Sequence, residues 1–175
     1  MDMSKINKST SILILGDARH GKDELAKFIT NQTGLKNDSS SRVALRVFLR
    51  DILSRKYGLF YDNLEDAFND RVNHREIWYN EICRYNSLDK LRLVRDVLSV
   101  ANIYVGLRSA LEVQEAKESK VFDHIIGVYN WRVKRESKES NTADLFRYSD
   151  FIITNNGTLS DLENKVTNII LKIIL

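Results

Sequence analysis

The feature that most constrains this chain is a glycine-bounded loop, GDARHGKD, that joins a short apolar run to an amphipathic segment. Gly16 and Gly21 are separated by four residues and Lys22 follows directly, which gives the spacing G-x-x-x-x-G-K. Such a loop wraps a phosphate with successive backbone N–H groups, and glycine permits the dihedral angles and the close approach that this requires. The apolar run SILIL (11–15) predicts the preceding strand, and residues 22–32 predict the following helix. The pattern therefore predicts a nucleotide-binding loop in which Lys22 bridges the β- and γ-phosphates.

The residue after the loop lysine indicates the class of nucleotide-binding protein. Asp23 occupies the position where Ser or Thr usually contacts Mg²⁺. A carboxylate is also a hard oxygen ligand, directly or through water, so ATP and Mg²⁺ are the expected cofactors and Asp23 is the candidate metal ligand. No other Asp ends an apolar strand, because NIYVGL (102–107) leads into Arg108 and DFIIT (150–154) leads into Asn155. This pattern favours a small kinase over a GTPase switch or a motor ATPase.

Strand-like and helical runs alternate along the rest of the chain. Further strands are expected around 35–38 and at 102–107, 121–129 and 150–154, and helices are expected at 42–57, 62–83 and 88–98, from 109 and from about 160. This alternation predicts one α/β domain over residues 1–175, with a five-stranded parallel sheet flanked by helices. The central helices, approximately 42–98, would form a helical substrate lobe over the carboxyl edge of the sheet, and approximately 130–147 would form a lid.

Composition is that of an ordinary soluble domain. The 175 residues are 43% hydrophobic and 29% charged, and no run is long enough to span a bilayer. The polar start MDMSKINKST predicts neither signal peptide nor anchor, and the single cysteine, Cys83, excludes an internal disulfide, so a cytoplasmic location and no membrane partner are expected. Net charge is +3, and residues 42–108 hold 12 Lys/Arg against 9 Asp/Glu, which is compatible with a phosphate-bearing substrate or with solvated helix faces.

Residues 70–78, DRVNHREIW, place Arg71, His74 and Arg75 at i, i+3 and i+4 spacing, which predicts one helical face. With Trp78 and Tyr79 this face could form a pocket for a base and its phosphate, although such pairs are also common on exposed helices. Asp70 is a candidate general base toward an acceptor hydroxyl, on proximity alone. Arg108 is expected at the carboxyl edge, where it could hold a phosphate or pair with Glu112 instead.

Two other polar groups have both a functional and a structural interpretation. Ser39 and Ser40 are candidate substrate contacts, while Ser41 is the expected N-cap of the next helix. Arg42, Arg46 and Arg50 form a stripe at i, i+4 and i+8, which suits a solvated face or a track for a DNA backbone. In the lid, Arg132, Lys134 and Arg135 could close over ATP and neutralise the γ-phosphate, or form a solvated turn.

Five stretches, in this order, resemble phage P-loop kinases that act on 5-hydroxymethyluracil in DNA, which are close to deoxynucleoside monophosphate kinases. The stretches are ARHGKDELA (18–26), SSSRVAL (39–45), FNDRVNHREIWYNEIC (68–83), IYVGLRSALE (103–112) and SDFIITNNGTLSDL (149–162). The resemblance implies a nucleoside-monophosphate-kinase-like P-loop fold and transfer of the γ-phosphate of ATP to the 5-hydroxymethyl group. One departure is visible, because the family's acidic residue near the end of the fourth strand is replaced here by Tyr129 and Asn130.

The candidate site follows from the motifs and the resemblance together. Catalytic candidates are Lys22, Arg108, Asp70, Arg132 and Arg135, and Asp23 is the metal candidate. Nucleotide-binding candidates are Gly16, Asp17, Ala18, Arg19, His20, Gly21, Lys22, Asp23, Glu24 and Asn155. Substrate candidates are Ser39, Ser40, Arg71, His74, Arg75, Trp78 and Arg108. The expected acceptor is 5-hydroxymethyluracil in DNA, with a free deoxynucleoside monophosphate as the first alternative and a nucleotide-binding regulator without transferase activity as the second.

Overall fold

The computed structural model describes residue 7 and residues 9–107, 109–134 and 144–174. The strands are β1 (Ile12–Leu15), β2 (Asn37–Ser39), β3 (Ile103–Val105), β4 (His124–Tyr129) and β5 (Phe151–Thr154). The helices are α1 (Lys22–Thr33), α2 (Ser40–Ala44), α3 (Arg50–Tyr57), α4 (Leu64–Asp70), α5 (Arg75–Tyr85), α6 (Arg92–Leu98), α7 (Ala110–Glu118) and α8 (Leu159–Ile174). A π-helical segment, Leu45–Leu49, joins α2 to α3, and a 3₁₀ helix, Asp144–Tyr148, precedes β5.

The five strands form one parallel sheet in the order β2-β3-β1-β4-β5. The central strand β1 is entirely buried, as its uninterrupted apolar sequence predicted. The carboxyl ends of all five strands lie at one edge of the sheet. β2 and β3 lie on one side of β1, and β4 and β5 lie on the other. Ligands of such sheets bind at this switch point. The arrangement confirms the predicted α/β fold with a five-stranded parallel sheet flanked by helices.

Alternate residues of β1 pack into two separate cores. Leu13 and Leu15 join the helices between β2 and β3, whereas Ile12 and Ile14 face α1 and α8 on the other side. The closing helix α8 contributes a stripe of buried residues to this second core, Leu162, Val166 and Ile170. Because both faces of the sheet are covered, its carboxyl edge is left for a site.

The central helices differ from the predicted segments at two places. The predicted helix 42–57 is α2, the π-helical segment and α3 in succession. The predicted helix 62–83 is interrupted at 71–74, where a turn separates α4 from α5. No proline or glycine marks this interruption in the sequence, so periodicity alone could not locate it. Among the described residues, no helix is sufficiently long and apolar to cross a membrane.

Candidate active site

The loop after β1 has the backbone that its glycines predicted. Gly21 caps the N-terminus of α1 with φ +99°, in the left-handed region, and a Cβ there would lie 2.3 Å from Nδ2 of Asn155. At Gly16 a Cβ would lie 2.6 Å from the main-chain oxygen of Val128. Both positions therefore exclude a side chain for steric reasons. Inside the loop, Lys22 is buried and its Nζ donates to the main-chain oxygen of Asp17 at 2.7 Å.

Residues that directly follow β4 and β5 contact the loop. Asn155, directly after β5, donates from Nδ2 to the main-chain oxygen of His20 at 3.1 Å. Asn130, directly after β4, donates its main-chain N–H to Nδ1 of His20 at 3.3 Å, and the Tyr129 ring lies edge-on to the imidazole. His20 is fully buried. Tyr129 and Asn130, which depart from the resembled family, thus contact the loop itself.

The first turn of α1 carries the candidate metal ligand. Asp23 and Glu24 are its acidic residues, and Glu24 pairs with Lys27 at 2.6 Å on the exposed side. Among the described residues, no group of three or more His, Cys, Asp or Glu is placed to hold a metal ion. Mg²⁺ in kinase sites is usually held by one or two carboxylates together with substrate phosphates and water. Asp23, which lies beside the loop, fits this donor set as a single carboxylate ligand.

A cavity of about 350 Å³ opens beside the loop. Its walls come from the loop, the β2–α2 junction, α4–α5, the end of β3 and the start of α7. The lining residues are Ala18, Arg19, Lys22, Asp23, Ser39, Ser40, Ser41, Phe68, Arg71, Val72, Arg75, Trp78, Tyr79, Ile82, Cys83, Tyr104, Val105, Gly106, Leu107, Ser109 and Glu112. The volume lies within the range of small-molecule pockets, roughly 300–1,000 Å³. The predicted loop residues Lys22 and Asp23 therefore share one cavity with the predicted substrate residues Ser39 and Ser40.

Arg71 and Arg75 form a basic wall of this cavity, but not as one helical face. Arg71 follows the last residue of α4 and Arg75 is the first residue of α5, so the predicted single helix face over 71–75 is wrong. Arg71 stacks on the Phe68 ring at 3.7 Å and donates to the Phe68 main-chain oxygen at 2.7 Å. Burial and then the charges of Arg42 and Arg75 lower the pKa of Arg71. Such crowding of cations suits an anionic group of a ligand.

Asp70 and His74 belong to the turn between these helices. Asp70 accepts hydrogen bonds from Tyr61 Oη at 2.7 Å, Asn73 Nδ2 at 2.6 Å and His74 Nε2 at 3.1 Å. These bonds lower the pKa of Asp70, the Tyr61 bond most, and burial together with Asp70 raises the pKa of Tyr61 to about 12. Neither Asp70 nor His74 lines the cavity. Their contacts give them a role in shaping the turn, and the general-base role of Asp70 stays a prediction.

The cavity lining includes a carboxyl group, that of Glu112, which the sequence did not single out for the site. Glu112 on α7 accepts a hydrogen bond at Oε1 from Nδ2 of the buried Asn86, 2.8 Å away. Burial raises the pKa of Glu112. Tyr104, buried on β3, shares a side-chain hydrogen bond with Ser40, and burial and then the Glu112 charge raise its pKa. Glu112 lies four residues after Arg108, and this spacing was interpreted as that of a surface ion pair. Glu112 was therefore noticed in the sequence but was not included among the candidate site residues.

The β2–α2 junction differs from its prediction in one detail. Ser39, and not Ser41, is the N-cap of α2, and its Oγ accepts from the main-chain N–H of Arg42 at 3.3 Å. The basic stripe after it is partly neutralised. Arg42 pairs with Glu65 through two bonds of 2.9 and 3.2 Å, and Arg46 pairs with Asp38.

The predictions for Arg132, Arg135 and Arg108 have different outcomes. Arg132 is exposed, and its guanidinium carbon lies 5.4 Å from the Trp131 ring, outside the cavity lining. Trp131 is joined to the β5–α8 loop, because its main-chain N–H donates to Asn156 Oδ1 at 3.1 Å. Arg108 and Arg135 lie outside the described residues, so their predicted roles stay predictions.

Comparison with known proteins adds only distant likenesses. No family model matches the chain, and no curated protein matches it. Among solved structures, it is similar to a sugar kinase from a Janibacter species, with 13% identity, a TM-score of 0.46 and coverage of 94% of this chain and 95% of that chain. It is also similar to dephospho-CoA kinase from Campylobacter jejuni, with 14% identity, a TM-score of 0.46 and coverage of 95% and 98%.

Proposed function

We propose that this chain is an ATP-dependent phosphotransferase that moves the γ-phosphate of ATP onto a nucleotide, and that its acceptor is 5-hydroxymethyluracil in DNA. The observation that supports transfer is the shared cavity: Lys22 and Asp23 of the phosphate-binding loop line the same space as Arg71, Arg75 and Ser40. A protein that only hydrolyses nucleotide, or only senses it, needs no second ligand space beside the γ-phosphate. A kinase needs one, because its two substrates must meet with their reacting atoms close together.

The mechanism is an in-line transfer in which the residues position groups and stabilise charge. The acceptor hydroxyl oxygen bonds to the γ-phosphorus, the bond from that phosphorus to the β–γ bridging oxygen breaks, and the hydroxyl proton is lost to a base or to solvent. The products are ADP and a phosphate ester. Lys22 leaves its bond to Asp17 and binds the phosphates, and Mg²⁺, when bound beside Asp23, supplies additional positive charge to the phosphate oxygens.

The proposal that the acceptor is a base in DNA rests on the resemblance described above. It requires that the base reach the cavity. The cavity has a volume of only about 350 Å³, so a base in a duplex must leave the stack to reach it, which costs a few kcal/mol. The exposed ring of Tyr79 at the cavity could recover part of this by stacking, about 1–3 kcal/mol per base.

A free deoxynucleoside monophosphate is the second candidate acceptor. It is favoured by the basic stripe, in which Arg42 and Arg46 are already paired with Glu65 and Asp38 and offer less charge to a DNA backbone. The cavity size suits this acceptor equally well.

The test is to incubate the protein with γ-labelled ATP and Mg²⁺ and to follow the label. The acceptors, in parallel, are DNA containing 5-hydroxymethyluracil, unmodified DNA and each free deoxynucleoside monophosphate. Label in the modified DNA alone supports the first acceptor, and label in free nucleotides alone replaces it with the second. ATP binding with no labelled product from any acceptor would contradict the transferase proposal and leave a nucleotide-binding regulator.

A further inference from the structure

The cavity lining combines two kinds of side chain. Four of its residues are basic, Arg19, Lys22, Arg71 and Arg75. The lining also includes the polar groups of Glu112, Ser109 and Tyr104 and the aromatic and aliphatic side chains of α5. A ligand that matches both kinds has an anionic group and a flat ring with a polar edge. A nucleotide, either free or within a nucleic acid, has this combination.

Glu112 is held so that one carboxyl oxygen has a protein partner. Oε1 accepts from Asn86 Nδ2, and Asn86 in turn is fixed because its Oδ1 accepts the main-chain N–H of Leu93 at 3.1 Å. Asn86 is 4% exposed, so this link between α5, α6 and α7 is inside the protein. The carboxyl group is therefore rigidly placed at the cavity wall. Half-buried carboxyl groups are costly unless hydrogen-bonded, and a ligand group that binds to this carboxyl would offset part of that cost.

Trp78 provides a second, independent observation. Its side chain lines the cavity and is only 4% exposed, yet its indole Nε1 donates to no acceptor among the described residues. A buried N–H without a partner costs about 1–3 kcal/mol, and buried tryptophans normally find one. A ligand in the cavity that presents a carbonyl oxygen or a ring nitrogen would supply the missing acceptor.

We propose that Glu112 and the Trp78 indole N–H recognise the polar edge of the acceptor's base, and that this pair determines which base the protein accepts. This inference rests on the proposed function in taking the cavity as the acceptor site. It assigns specificity to two side chains that do not touch the phosphates. A base edge carries both hydrogen-bond donors and acceptors, so a carboxyl group and an N–H donor together can distinguish one edge from another.

The experiment compares acceptors that differ only at the ring edge. Deoxyuridine and deoxycytidine monophosphates form one pair, and oligonucleotides with 5-hydroxymethyluracil or 5-hydroxymethylcytosine form the other, so the free and the nucleic-acid sources are separate arms. Wild type is measured beside Trp78→Phe, which keeps the aromatic ring and removes the N–H, and Glu112→Leu, which removes the carboxyl group. Glu118→Leu is the matched control on α7, because Glu118 is exposed and outside the cavity.

Trp78→Phe and Glu112→Leu are each expected to raise the acceptor KM by about tenfold, which corresponds to about 1.4 kcal/mol, while the KM for ATP stays the same. The ratio of kcat/KM between the two members of a pair should fall toward one. A structural role alone would lower kcat/KM for both members equally and would lower the melting temperature. An unchanged ratio in both Trp78→Phe and Glu112→Leu would overturn the inference.

Acceptor binding is also measured by calorimetry, without turnover, so that this inference and the proposed function fail separately. If wild type binds a nucleotide in the cavity but transfers no phosphate, the transferase proposal falls while the recognition proposal is tested by the same variants. Loss of binding in Glu112→Leu but not in Glu118→Leu supports it. Equal binding by wild type and both cavity variants contradicts it.

Discussion

The Nζ of Lys22 donates a hydrogen bond to the main-chain oxygen of Asp17, 2.7 Å away, across the loop after β1. The lysine is buried against the loop, in the space that a phosphate would share with it. This contact satisfies the ammonium group within the loop, and a phosphate offers it a stronger, charge-assisted partner.

Replacement of Lys22 by alanine should therefore abolish most phosphate transfer. Loss of one preorganised donor to transition-state charge lowers kcat by about 10²–10³. The measurement is labelled transfer to the preferred acceptor at saturating ATP. Lys27→Ala is the matched control, since Lys27 lies on the same helix and pairs with Glu24 on the exposed side. Retained activity in Lys22→Ala would contradict the assignment of the loop.

Gly21→Ala should destabilise the protein and weaken nucleotide binding. The new Cβ adds a left-handed backbone penalty of about 1–2 kcal/mol and would overlap Asn155 Nδ2 at 2.3 Å. Gly34→Ala separates these two effects, because Gly34 is also left-handed, with φ +75°, but has no atom within 4 Å of the added Cβ. Denaturant unfolding and ATP titration check both variants. Equal stability losses and unchanged ATP affinity would show that the Asn155 contact is unimportant.

The two aromatic residues of α5 should respond to alanine in different ways. Tyr79 is 59% exposed at the cavity, so Tyr79→Ala should weaken acceptor binding by about 1–3 kcal/mol without changing the free energy of unfolding. Trp78 is part of the hydrophobic core, so Trp78→Ala should reduce that free energy by about 3–5 kcal/mol. Unfolding curves and acceptor titrations separate the two. A stable Trp78→Ala variant would contradict its placement in the core.

Glu112 should make stability depend on pH with a sign opposite to that of most carboxylates. Burial raises its pKa above the ordinary 4.5, so between that value and the raised pKa the folded state holds more protons than the unfolded state. Stability then falls as pH rises through this window and is level above it. Glu112→Gln removes the titration, so the difference in unfolding free energy between the variant and wild type should grow across the window. A constant difference would contradict the raised pKa.

Arg50→Gln distinguishes the two acceptor candidates. Arg50 is exposed on the basic stripe, beyond the ion-paired Arg42 and Arg46. If the stripe contacts a DNA backbone, the variant should bind DNA more weakly and should lower the slope of log affinity against log salt by about 1. Activity toward free nucleotides serves as the internal control and should not change. An unchanged salt slope would leave the stripe as a solvated face.

The half of the candidate site that the loop after β1 forms could be predicted because it is local. The spacing of Gly16, Gly21 and Lys22 acts through the backbone of one short loop, and the apolar run before it could only be a buried strand. Asn155 was expected beside the nucleotide because of the resemblance, and the structure shows that its Nδ2 donates to the main-chain oxygen of His20, 135 positions away. The alternation of strands and helices likewise predicted one parallel sheet, whereas the order of its strands, β2-β3-β1-β4-β5, came only from the structure.

The other half of the candidate site was predicted only in part, because it is assembled from distant segments. Arg71 and Arg75 were expected on one helix, but a turn without glycine or proline separates them, and both nevertheless line the cavity. Glu112 looked like a surface residue because helical spacing gives a side chain's neighbours on its own helix and says nothing of Asn86 on another.

The sequence by itself therefore determined the parallel sheet, the loop after β1 and the sheet edge at which the cavity lies, because each depends on backbone geometry over a few adjacent residues. Tertiary structure alone decided that Trp78 is in the core while Tyr79 is exposed, and that Arg42 and Arg46 are paired with acids. It also decided that Glu112 faces a cavity. These outcomes depend on which surfaces pack together, and burial and pKa values arise only from that packing.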